Sequence, residues 1–354
     1  MPIEVGQKER KTQNRVVELF HDVLKYDYLG NWQDRENNSN IETELLEKYL
    51  KGKYSDTLIQ KAINEFVKNS TIAHGDNFFE KNKAVYSMLR YGVKVKESAG
   101  SKEKTVYLID WDEPTNNHFA IAEEVTVYGQ AEKRPDIVLY INGIAIGIIE
   151  LKRSVVSVSE GIQQNIGNQR PEYIQPFFTT MQLLMAGNDT EGLRYATTET
   201  PEKYWLEWRE EQPSDTVAKD KLDRQITALC NKERIIDIIH NFIIFDAGVK
   251  KTCRHNQYFG VKAAQQRIQE DKGGIIWHTQ GSGKSLTMVW LSKWILEHNP
   301  DARILVITDR TELDEQIELV FNGVDEEIWR APNSRQLFAE LNTKDKRLLC
   351  SLPL

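Results

Sequence analysis

Residues 134–152 are RPDIVLYINGIAIGIIELK, two apolar runs joined by Asn142-Gly143. Asn-Gly between β-branched runs is the strongest short signal for a β-hairpin. Pro135 suits the entry to the first strand, where no ladder donor is needed. The segment therefore predicts a two-stranded ribbon in the core of an α/β protein.

Three chemically active side chains lie at one end of this ribbon. Asp136 and Glu150 come to the same end, and Glu150 and Lys152, two residues apart, share a face. In an otherwise apolar sheet these groups are costly unless they bind something. Asp136 and Glu150 as ligands of Mg²⁺, with Lys152 orienting or activating a water, would form a catalytic site for phosphodiester hydrolysis. The alternative is an exposed strand end with solvated charges.

The register of the hairpin decides whether the two acids meet. A strict two-residue turn places Asp136 opposite Ile149, with its side chain away from Glu150. A three-residue turn over 141–143 places Asp136 opposite Ile148 and brings all the functional groups to one face. We predict the three-residue turn, because the metal site requires it or a compensating bulge elsewhere.

A second motif is the glycine-rich loop HTQGSGKS at residues 278–285. It follows a predicted strand at 275–277 and precedes a predicted helix at 285–296. Successive backbone N–H groups of such a loop turn toward one anion, and the start of the helix adds its positive end. The order strand, loop, helix is typical of a phosphate-binding loop, although His278 stands where the usual pattern has glycine.

The same motif predicts the nucleotide-binding residues. Lys284 would reach the outer phosphates, and the Ser285 hydroxyl would hold the Mg²⁺ of the nucleotide. Upstream, Gln257 offers one amide donor and one acceptor, as the edge of adenine requires; the alternative is a glutamine that caps a helix. The full candidate set is Gln257, Thr279, Gly281, Ser282, Gly283, Lys284 and Ser285.

Between the two motifs, Gln169 and Tyr173 form a candidate accessory pair. In a helix they are one turn apart and reach the same groove, although Pro171 interrupts the pattern. An amide and a phenol hydrogen-bond phosphate or base without adding charge. The alternative is a surface glutamine beside a half-buried tyrosine.

Composition sets the limits on the class of protein. The chain has 354 residues, 40% of them apolar and 28% charged, which indicates a globular protein with more than one domain. Three isolated cysteines argue against a disulfide framework or a cysteine-rich zinc site. The net charge of −7 confines any DNA site to a local basic groove. Without a long apolar run or a secretory region, we expect a cytoplasmic protein that has no contact with membranes.

We predict three parts along the chain. Residues 1–190 form the first domain, with a helical N-terminus and a β core at 84–152. Residues 191–245 form a helical, charged connector. Residues 246–354 alternate strand and helix, which is typical of a parallel α/β sheet.

The order of these motifs resembles that of the restriction subunit of Type I restriction enzymes, the subunit of motor and cleavage activity. The resemblance spans roughly residues 10–320, and it is specific because independent motifs occur in the family's order. The segments that carry it are 134–136, 150–152, Gln169 with Tyr173, 254–257, 278–285 and 307–310.

The resemblance implies a restriction-endonuclease-like mixed-sheet nuclease domain followed by a partial RecA-like motor lobe of a superfamily 2 translocase. In it, Asp136, Glu150 and Lys152 match the family's catalytic residues, and Gln169 with Tyr173 matches its accessory nuclease motif. The cofactors implied are Mg²⁺ and ATP, and the partners are double-stranded DNA and the methyltransferase and specificity subunits. Glu18 is the nearest candidate for a further acidic ligand.

The C-terminal part departs from the family. A motor needs an acidic pair on a later strand and a second lobe, whereas 314–315 and 325–326 lie on helical or polar segments. We therefore expect a lobe truncated before its Walker B strand, which binds nucleotide weakly and does not hydrolyse ATP. The alternative functions are a helicase–nuclease of defence or repair that works without a specificity subunit, and a catalytically silent remnant that binds the partner complex.

Overall fold

The computed structural model describes residues 6–73, 75–210, 220–308, 311–323, 327–343 and 345–352. The chain divides into two compact units, Met1–His240 and Asn241–Leu354. The predicted connector at 191–245 is not a separate part, since most of it belongs to the first unit. Among the described residues, no helix combines the length and the apolar character needed to cross a membrane.

Seven α-helices occur in the described part of the first unit, and a π-helical turn at Leu19–Val23 follows the first of them. Their bounds are α1 (Gly6–Glu18), α2 (Thr43–Leu50), α3 (Asp56–Ser70), α4 (Phe78–Tyr91), α5 (Val158–Asn168), α6 (Lys221–Leu229) and α7 (Lys232–Asn241).

The strands of this unit build one large sheet and two small hairpins. Their bounds are β1 (Asp27–Asn31), β2 (Val93–Lys96), β3 (Glu103–Val106), β4 (Phe119–Glu123), β5 (Val127–Tyr128), β6 (Glu132–Lys133), β7 (Ile137–Ile141), β8 (Ile144–Leu151), β9 (Leu183–Asn188) and β10 (Gly192–Ala196). The large sheet has the order β1-β4-β7-β8-β9-β10. It is mixed, because β1 and β4 are parallel, as are β8 and β9, whereas the other neighbours are antiparallel.

The predicted β core at 84–152 is wrong at both ends. The sheet begins at β1 and continues through β9 and β10, while residues 84–89 lie in α4. Asn77 caps that helix by accepting a hydrogen bond from the Glu80 N–H at 3.2 Å. The buried residues of α4 recur at helical spacing, so burial on one helix face outweighs the strand-like composition.

β7 and β8 form the centre of the sheet. The sequence places both strands correctly, and every residue in them is buried. Helix α5 packs on β8 and β9. Val158 and Ile162 of this helix join the same apolar cluster as Val138 and Ile148 of the ribbon. The face of the ribbon that carries Val138 and Ile148 is therefore the face covered by α5.

The turn of the ribbon has two residues, so the three-residue turn that we predict is wrong. Ile141 pairs with Ile144, and Asn142 and Gly143 adopt φ values of 52° and 82°. The Asn142 amide is buried and satisfied, since it donates to the Leu108 carbonyl at 2.9 Å. A two-residue turn with Asn-Gly matches the twist of the strands, which explains its preference over the longer turn.

A bulge in β8 supplies the compensation that the metal site needs. Tyr140 pairs with Ala145, but Leu139 pairs with Gly147, so Ile146 is the extra residue. The register then runs through the pair of Ile137 with Ile149. Continued by one residue, it places Asp136 opposite Glu150, with both side chains on the face covered by α5.

The second unit contains a hairpin and a small parallel sheet. The elements in its described residues are β11 (Ile243–Asp246), β12 (Val249–Thr252), α8 (His255–Gln269), α9 (Lys284–His298), β13 (Ile304–Ile307), α10 (Thr311–Gly323), β14 (Trp329–Arg330), α11 (Ser334–Thr343) and β15 (Leu348–Ser351). The sheet order is β13-β15-β14, with parallel neighbours. Parallel pairing agrees with the predicted alternation of strands and helices.

The predicted strand at 275–277 is wrong. No described strand pairs with this segment, and the side chains of Ile275 and Trp277 are each 90% exposed. Its apolar composition predicts a buried strand, but a strand needs a hydrogen-bonded neighbour, and the described sheet of this unit uses other segments.

We predict that Gly143→Ala destabilises the first unit by at least about 1–2 kcal/mol, because alanine resists a left-handed φ. A Cβ atom there would also lie 2.6 Å from the Glu42 carbonyl oxygen. Gly167→Ala is the matched control: its Cβ would meet nothing within 4 Å, and a helical site favours alanine. Thermal unfolding followed by circular dichroism measures both changes. An unchanged melting temperature for Gly143→Ala would contradict the two-residue turn.

Candidate active site

The two acids of the ribbon meet at the end opposite the turn. Asp136 lies directly before β7, and its Oδ2 accepts a hydrogen bond from the Leu151 N–H at 2.7 Å. Glu150 on β8 is fully buried. The structure therefore brings Asp136 and Glu150 together as the sequence predicts, although through a bulge rather than a longer turn.

The surroundings of Glu150 favour the neutral form of its carboxyl group. Burial raises the pKa of Glu150 well above its usual range, and the adjacent charge of Asp136 raises it further. The ammonium of Lys152 acts in the opposite direction and lowers that pKa. A buried carboxyl group of this kind stays protonated unless a cation compensates its charge.

Gln164 on α5 joins Glu150 to Lys152, and sequence reasoning did not find it. Its Nε2 donates to Glu150 Oε2 at 2.6 Å, and its Oε1 accepts from Lys152 Nζ at 2.7 Å. The available signal was helical spacing, because Gln164 lies three residues after Gly161 and four before Asn168, both buried on the inner side of the helix.

Gly161 allows α5 to approach the strands closely. A Cβ atom at this position would lie 3.2 Å from the Ala186 Cβ and 3.4 Å from the Lys152 Cγ. The small residue therefore brings the amide of Gln164 within hydrogen-bonding distance of the two charged side chains. Lys152 is held independently by its backbone N–H, which donates to the Gly187 carbonyl at 2.9 Å.

A third acid, Glu124, lies behind the pair. Its N–H donates to the Asp136 carbonyl at 2.9 Å, and its charge further raises the pKa of Glu150. Arg134 forms an ion pair with Glu124, with 2.8 Å between Nε and Oε2. Arg134, which precedes the first acid in sequence, thus neutralises this outer carboxylate.

The residues present fit a hard divalent cation. Glu150 Oε1 is buried without a hydrogen-bond donor, and the Glu150 carboxyl lies within hydrogen-bonding reach of the Asp136 carboxyl, so the two acids can share either a proton or a cation. Asp136 provides a second carboxylate on the same face, and oxygen ligands suit Mg²⁺. Among the described residues no group of three or more His, Cys, Asp or Glu could hold a metal ion. Asp136 and Glu150 would be the ligands of such a cation.

The described contacts of Gln169 and Tyr173 are with residues other than the acid pair. Gln169 is buried, with its Nε2 donating to the Asn165 carbonyl at 2.9 Å and its Oε1 accepting from the Glu199 N–H at 2.7 Å. The Tyr173 ring lies 4.1 Å from the ammonium of Lys133. Their shared role in the nuclease site stays a prediction.

Glu18 lies elsewhere on the first unit. It is exposed at the end of α1 and lines a surface cleft together with His21 and His118. The outer acid that does act on the pair is Glu124, which comes from the end of β4.

The glycine-rich loop at 278–285, the predicted phosphate loop, has the left-handed glycines that such a loop requires. Gly281 and Gly283 adopt φ values of 76° and 83°, and α9 begins at Lys284. Lys284 Nζ donates to the Thr279 carbonyl at 3.1 Å, so the lysine folds over its own loop. The Ser282 hydroxyl donates to the same carbonyl at 2.7 Å. Ser285 follows in the first turn of α9 and is half-buried.

The amide of Gln257 is fully engaged within the protein. Its Oε1 accepts from the Arg254 N–H at 2.8 Å, and its Nε2 donates to the Gly283 carbonyl at 2.9 Å. Gln257 thus caps α8 and supports the phosphate loop. Pairing with adenine would require these bonds to be exchanged, and it stays a prediction.

Some residues of the C-terminal motifs lie in described elements of the structure, and others fall outside its described residues. Residues 309–310 and 325–326 fall outside the described residues. Glu315 lies on α10, as the sequence predicts. The acidic residues considered for the motor chemistry are therefore either helical or outside the described part of the chain.

A mixed sheet with two adjoining carboxylates and a lysine at one end is consistent with an α/β nuclease domain. The family model described as Type I restriction enzyme R protein N terminus matches residues 6–203, more than half of the chain. The chain belongs to this family. A second model, SWI2/SNF2 ATPase, matches residues 256–352.

Individual proteins of known family show the same relationship. The chain is 26% identical over 321 residues to the Type I restriction enzyme HindI endonuclease subunit of Haemophilus influenzae, covering 81% of this chain and 30% of that protein. It is 26% identical over 322 residues to the SsaAORF53P endonuclease subunit of Staphylococcus saprophyticus, covering 89% and 33%. The chain thus spans about a third of the length of these relatives.

We predict that Glu150→Gln stabilises the first unit when divalent metal is absent. Burial raises the pKa of Glu150 above its unfolded value of about 4.5, so the folded protein keeps this carboxyl group protonated. As the pH rises above that value, the unfolded state gains the free energy of ionisation and the folded state does not, so the free energy of unfolding decreases. The melting temperature of the variant should exceed that of the unmodified protein by a margin that widens with pH, at roughly 2–4 °C per kcal/mol.

Differential scanning fluorimetry in EDTA and in Mg²⁺ measures this difference. Mg²⁺ should raise the melting temperature of the unmodified chain and leave that of Glu150→Gln nearly unchanged. Equal responses of the two proteins to pH and to Mg²⁺ would show that burial does not disfavour the ionised form of Glu150 and that Glu150 does not bind the metal.

Proposed function

We propose that the first unit cleaves double-stranded DNA in a Mg²⁺-dependent reaction at Asp136, Glu150 and Lys152. The observation that carries this proposal is the pairing of the two acids through the β8 bulge, with one Glu150 oxygen buried without a hydrogen-bond donor. The membership of the chain in the restriction-enzyme family supports DNA as the substrate.

Each side chain has a distinct part in the proposed reaction. Asp136 and Glu150 would hold Mg²⁺, which when bound polarises a phosphoryl oxygen and lowers the pKa of a water. Lys152 holds its ammonium near the acid pair through Gln164, where it can donate a hydrogen bond to the attacking water or to phosphate. Gln164 fixes the rotamers of Glu150 and Lys152 at once, so it is a positioning residue.

The second unit would bind ATP through its phosphate loop. Left-handed Gly281 and Gly283 turn the backbone, and the N-terminus of α9 adds a partial positive charge. Lys284 would leave the Thr279 carbonyl for the outer phosphates, and Ser285 would hold the associated Mg²⁺. Thr279 and Ser282 would support the loop, because the Ser282 N–H and hydroxyl both donate to the Thr279 carbonyl.

In the whole protein these activities would serve a Type I restriction complex. Relatives named as endonuclease subunits of Type I restriction enzymes are about three times as long as this chain. We propose that the full subunit has a RecA-like motor lobe and works with methyltransferase and specificity subunits, the latter of which read the DNA sequence. Co-purification with those subunits distinguishes this assembly from an independent helicase–nuclease.

We predict that Asp136→Asn and Lys152→Ala each reduce Mg²⁺-dependent plasmid nicking at least about 100-fold, because each removes a group that acts directly on the reaction. Glu103→Gln, an exposed carboxylate on β3, is the matched control and should nick normally. Agarose gels of supercoiled plasmid give the rate. Nicking that survives in both variants would contradict the proposed site, and a chain that never nicks would fit the silent remnant.

We predict that Lys284→Ala weakens the binding of a fluorescent ATP analogue about tenfold or more, through the loss of a charge-assisted hydrogen bond. Lys272→Ala removes an exposed lysine that pairs with Glu270 and serves as the control. Fluorescence anisotropy measures both dissociation constants. Identical affinities would show that the loop does not bind the phosphates.

A further inference from the structure

The first unit has an aromatic cleft at the turn end of the ribbon, away from the acid pair. Its volume is about 710 Å³, and its aromatic lining consists of Tyr49, Tyr54, Tyr107, Trp111 and His240. These residues come from α2, the turn after it, the segment after β3, and α7. Neither the nuclease site nor the phosphate loop uses any of them.

One wall of the cleft is the loop at 110–117, which is hydrogen-bonded to the ribbon. Asp110 accepts hydrogen bonds from the Glu113 N–H and the Asn116 amide, both at 2.9 Å. Asn117 in turn accepts from the buried Asn142 amide at 2.8 Å. The cleft and the acid pair are therefore built on opposite ends of one ribbon, roughly 20 Å apart for six residues of strand.

Trp111 presents both a flat surface and a hydrogen-bond donor without an acceptor. Its indole stacks on His240, with 4.8 Å between ring centroids and 14° between the planes. The Arg90 Nε–H fixes His240 by donating to its carbonyl at 2.7 Å. Trp111 Nε1 is buried and has no hydrogen-bond partner. A ligand with an acceptor atom would satisfy this buried donor.

Lys53 favours a ligand that has an anionic group. Its ammonium lies 3.5 Å from the centroid of the Tyr49 ring. A side chain of the protein therefore already occupies the position over this ring where a cationic ligand would bind. Among the described residues Lys53 forms no ion pair, although its charge interacts with that of Asp110 in the same cleft. The Asp110 carboxylate is held by its own loop, which leaves the exposed ammonium of Lys53 able to reach a phosphate. A ligand with an anionic part and a planar part is thus favoured over a cation.

We propose that this cleft binds a nucleotide, with its base against the aromatic side chains and its phosphate beside Lys53. Base carbonyl and ring nitrogen atoms, or a phosphate oxygen, would accept the hydrogen bond of Trp111 Nε1. Stacking on aromatic side chains beside a basic residue is the general mode of binding unstacked strands. We assign the nucleotide to single-stranded DNA, an assignment that rests on the proposed function. A free nucleotide would present the same chemistry.

The test measures the binding of three probes in EDTA, which prevents cleavage. The probes are a 12-nucleotide single strand with a central 2-aminopurine, the duplex of the same sequence, and dAMP. Anisotropy of a labelled strand and 2-aminopurine fluorescence report binding and stacking, and dAMP is measured by competition. The variants are Trp111→Ala, Trp111→Phe and Lys53→Gln, with Lys51→Gln as the matched control on the same turn.

Trp111→Ala should weaken single-strand binding roughly 5- to 100-fold, the range for loss of one stacked base. Trp111→Phe should retain most of the 2-aminopurine quenching, Lys53→Gln should weaken binding a few-fold, and Lys51→Gln should have no effect. Lys53 is exposed, so its variant keeps the test valid even if Trp111→Ala fails to fold. A Trp111-dependent loss seen only with dAMP would support a nucleotide site and identify the free nucleotide as its source.

Unchanged binding of every probe to Trp111→Ala and Lys53→Gln would overturn the proposal. The same holds if only duplex binding changes, because a stacked base pair does not offer its face. Asp136→Asn separates the two hypotheses: it should retain single-strand binding while losing nicking. Nicking by Asp136→Asn together with Trp111-dependent binding would defeat the proposed function and leave the cleft in place.

Discussion

A carboxylate buried in a central strand is the constraint on which the rest of the first unit depends. Glu150 lies in a strand with no exposed residue and directly beside a second acid. Removing an ionised carboxylate from water costs several kcal/mol unless a partner compensates it. Lys152 and the Gln164 amide compensate part of that cost, and one oxygen of Glu150 is left without a hydrogen-bond donor.

The bulge in β8 and the close approach of α5 position the side chains around Glu150. The bulge at Ile146 sets the register, without which Asp136 would lie on the opposite face of the sheet. Gly161 brings α5 near enough for Gln164 to contact both Glu150 and Lys152. At the other end of the ribbon, Asn142 fixes the turn and connects it to the loop that walls the aromatic cleft. The same two strands therefore organise the acid pair and the cleft.

Local patterns in the sequence predict the two strands of the ribbon and the meeting of Asp136 with Glu150 at one end, but they predict the wrong turn. They fail where the outcome depends on distant partners. The bulge depends on how β8 packs between two neighbours, and the sequence of the turn contains no sign of it. Gln164 is one glutamine among several until α5 is docked, and 84–89 becomes helical because one face is buried. The segment 275–277 has the composition of a strand, yet no described strand pairs with it.

Anomalous scattering at the manganese edge, recorded from crystals soaked with Mn²⁺, shows whether Asp136 and Glu150 form a metal site. If Asp136 and Glu150 bind the metal, an anomalous peak is expected about 2.0–2.3 Å from an oxygen of Asp136 and from Oε1 of Glu150, at the distances usual for hard cations. Gln164 should keep its two hydrogen bonds in that structure. A fully soaked crystal with no peak between these carboxylates, or with the metal held only by other residues, would contradict the proposed metal site.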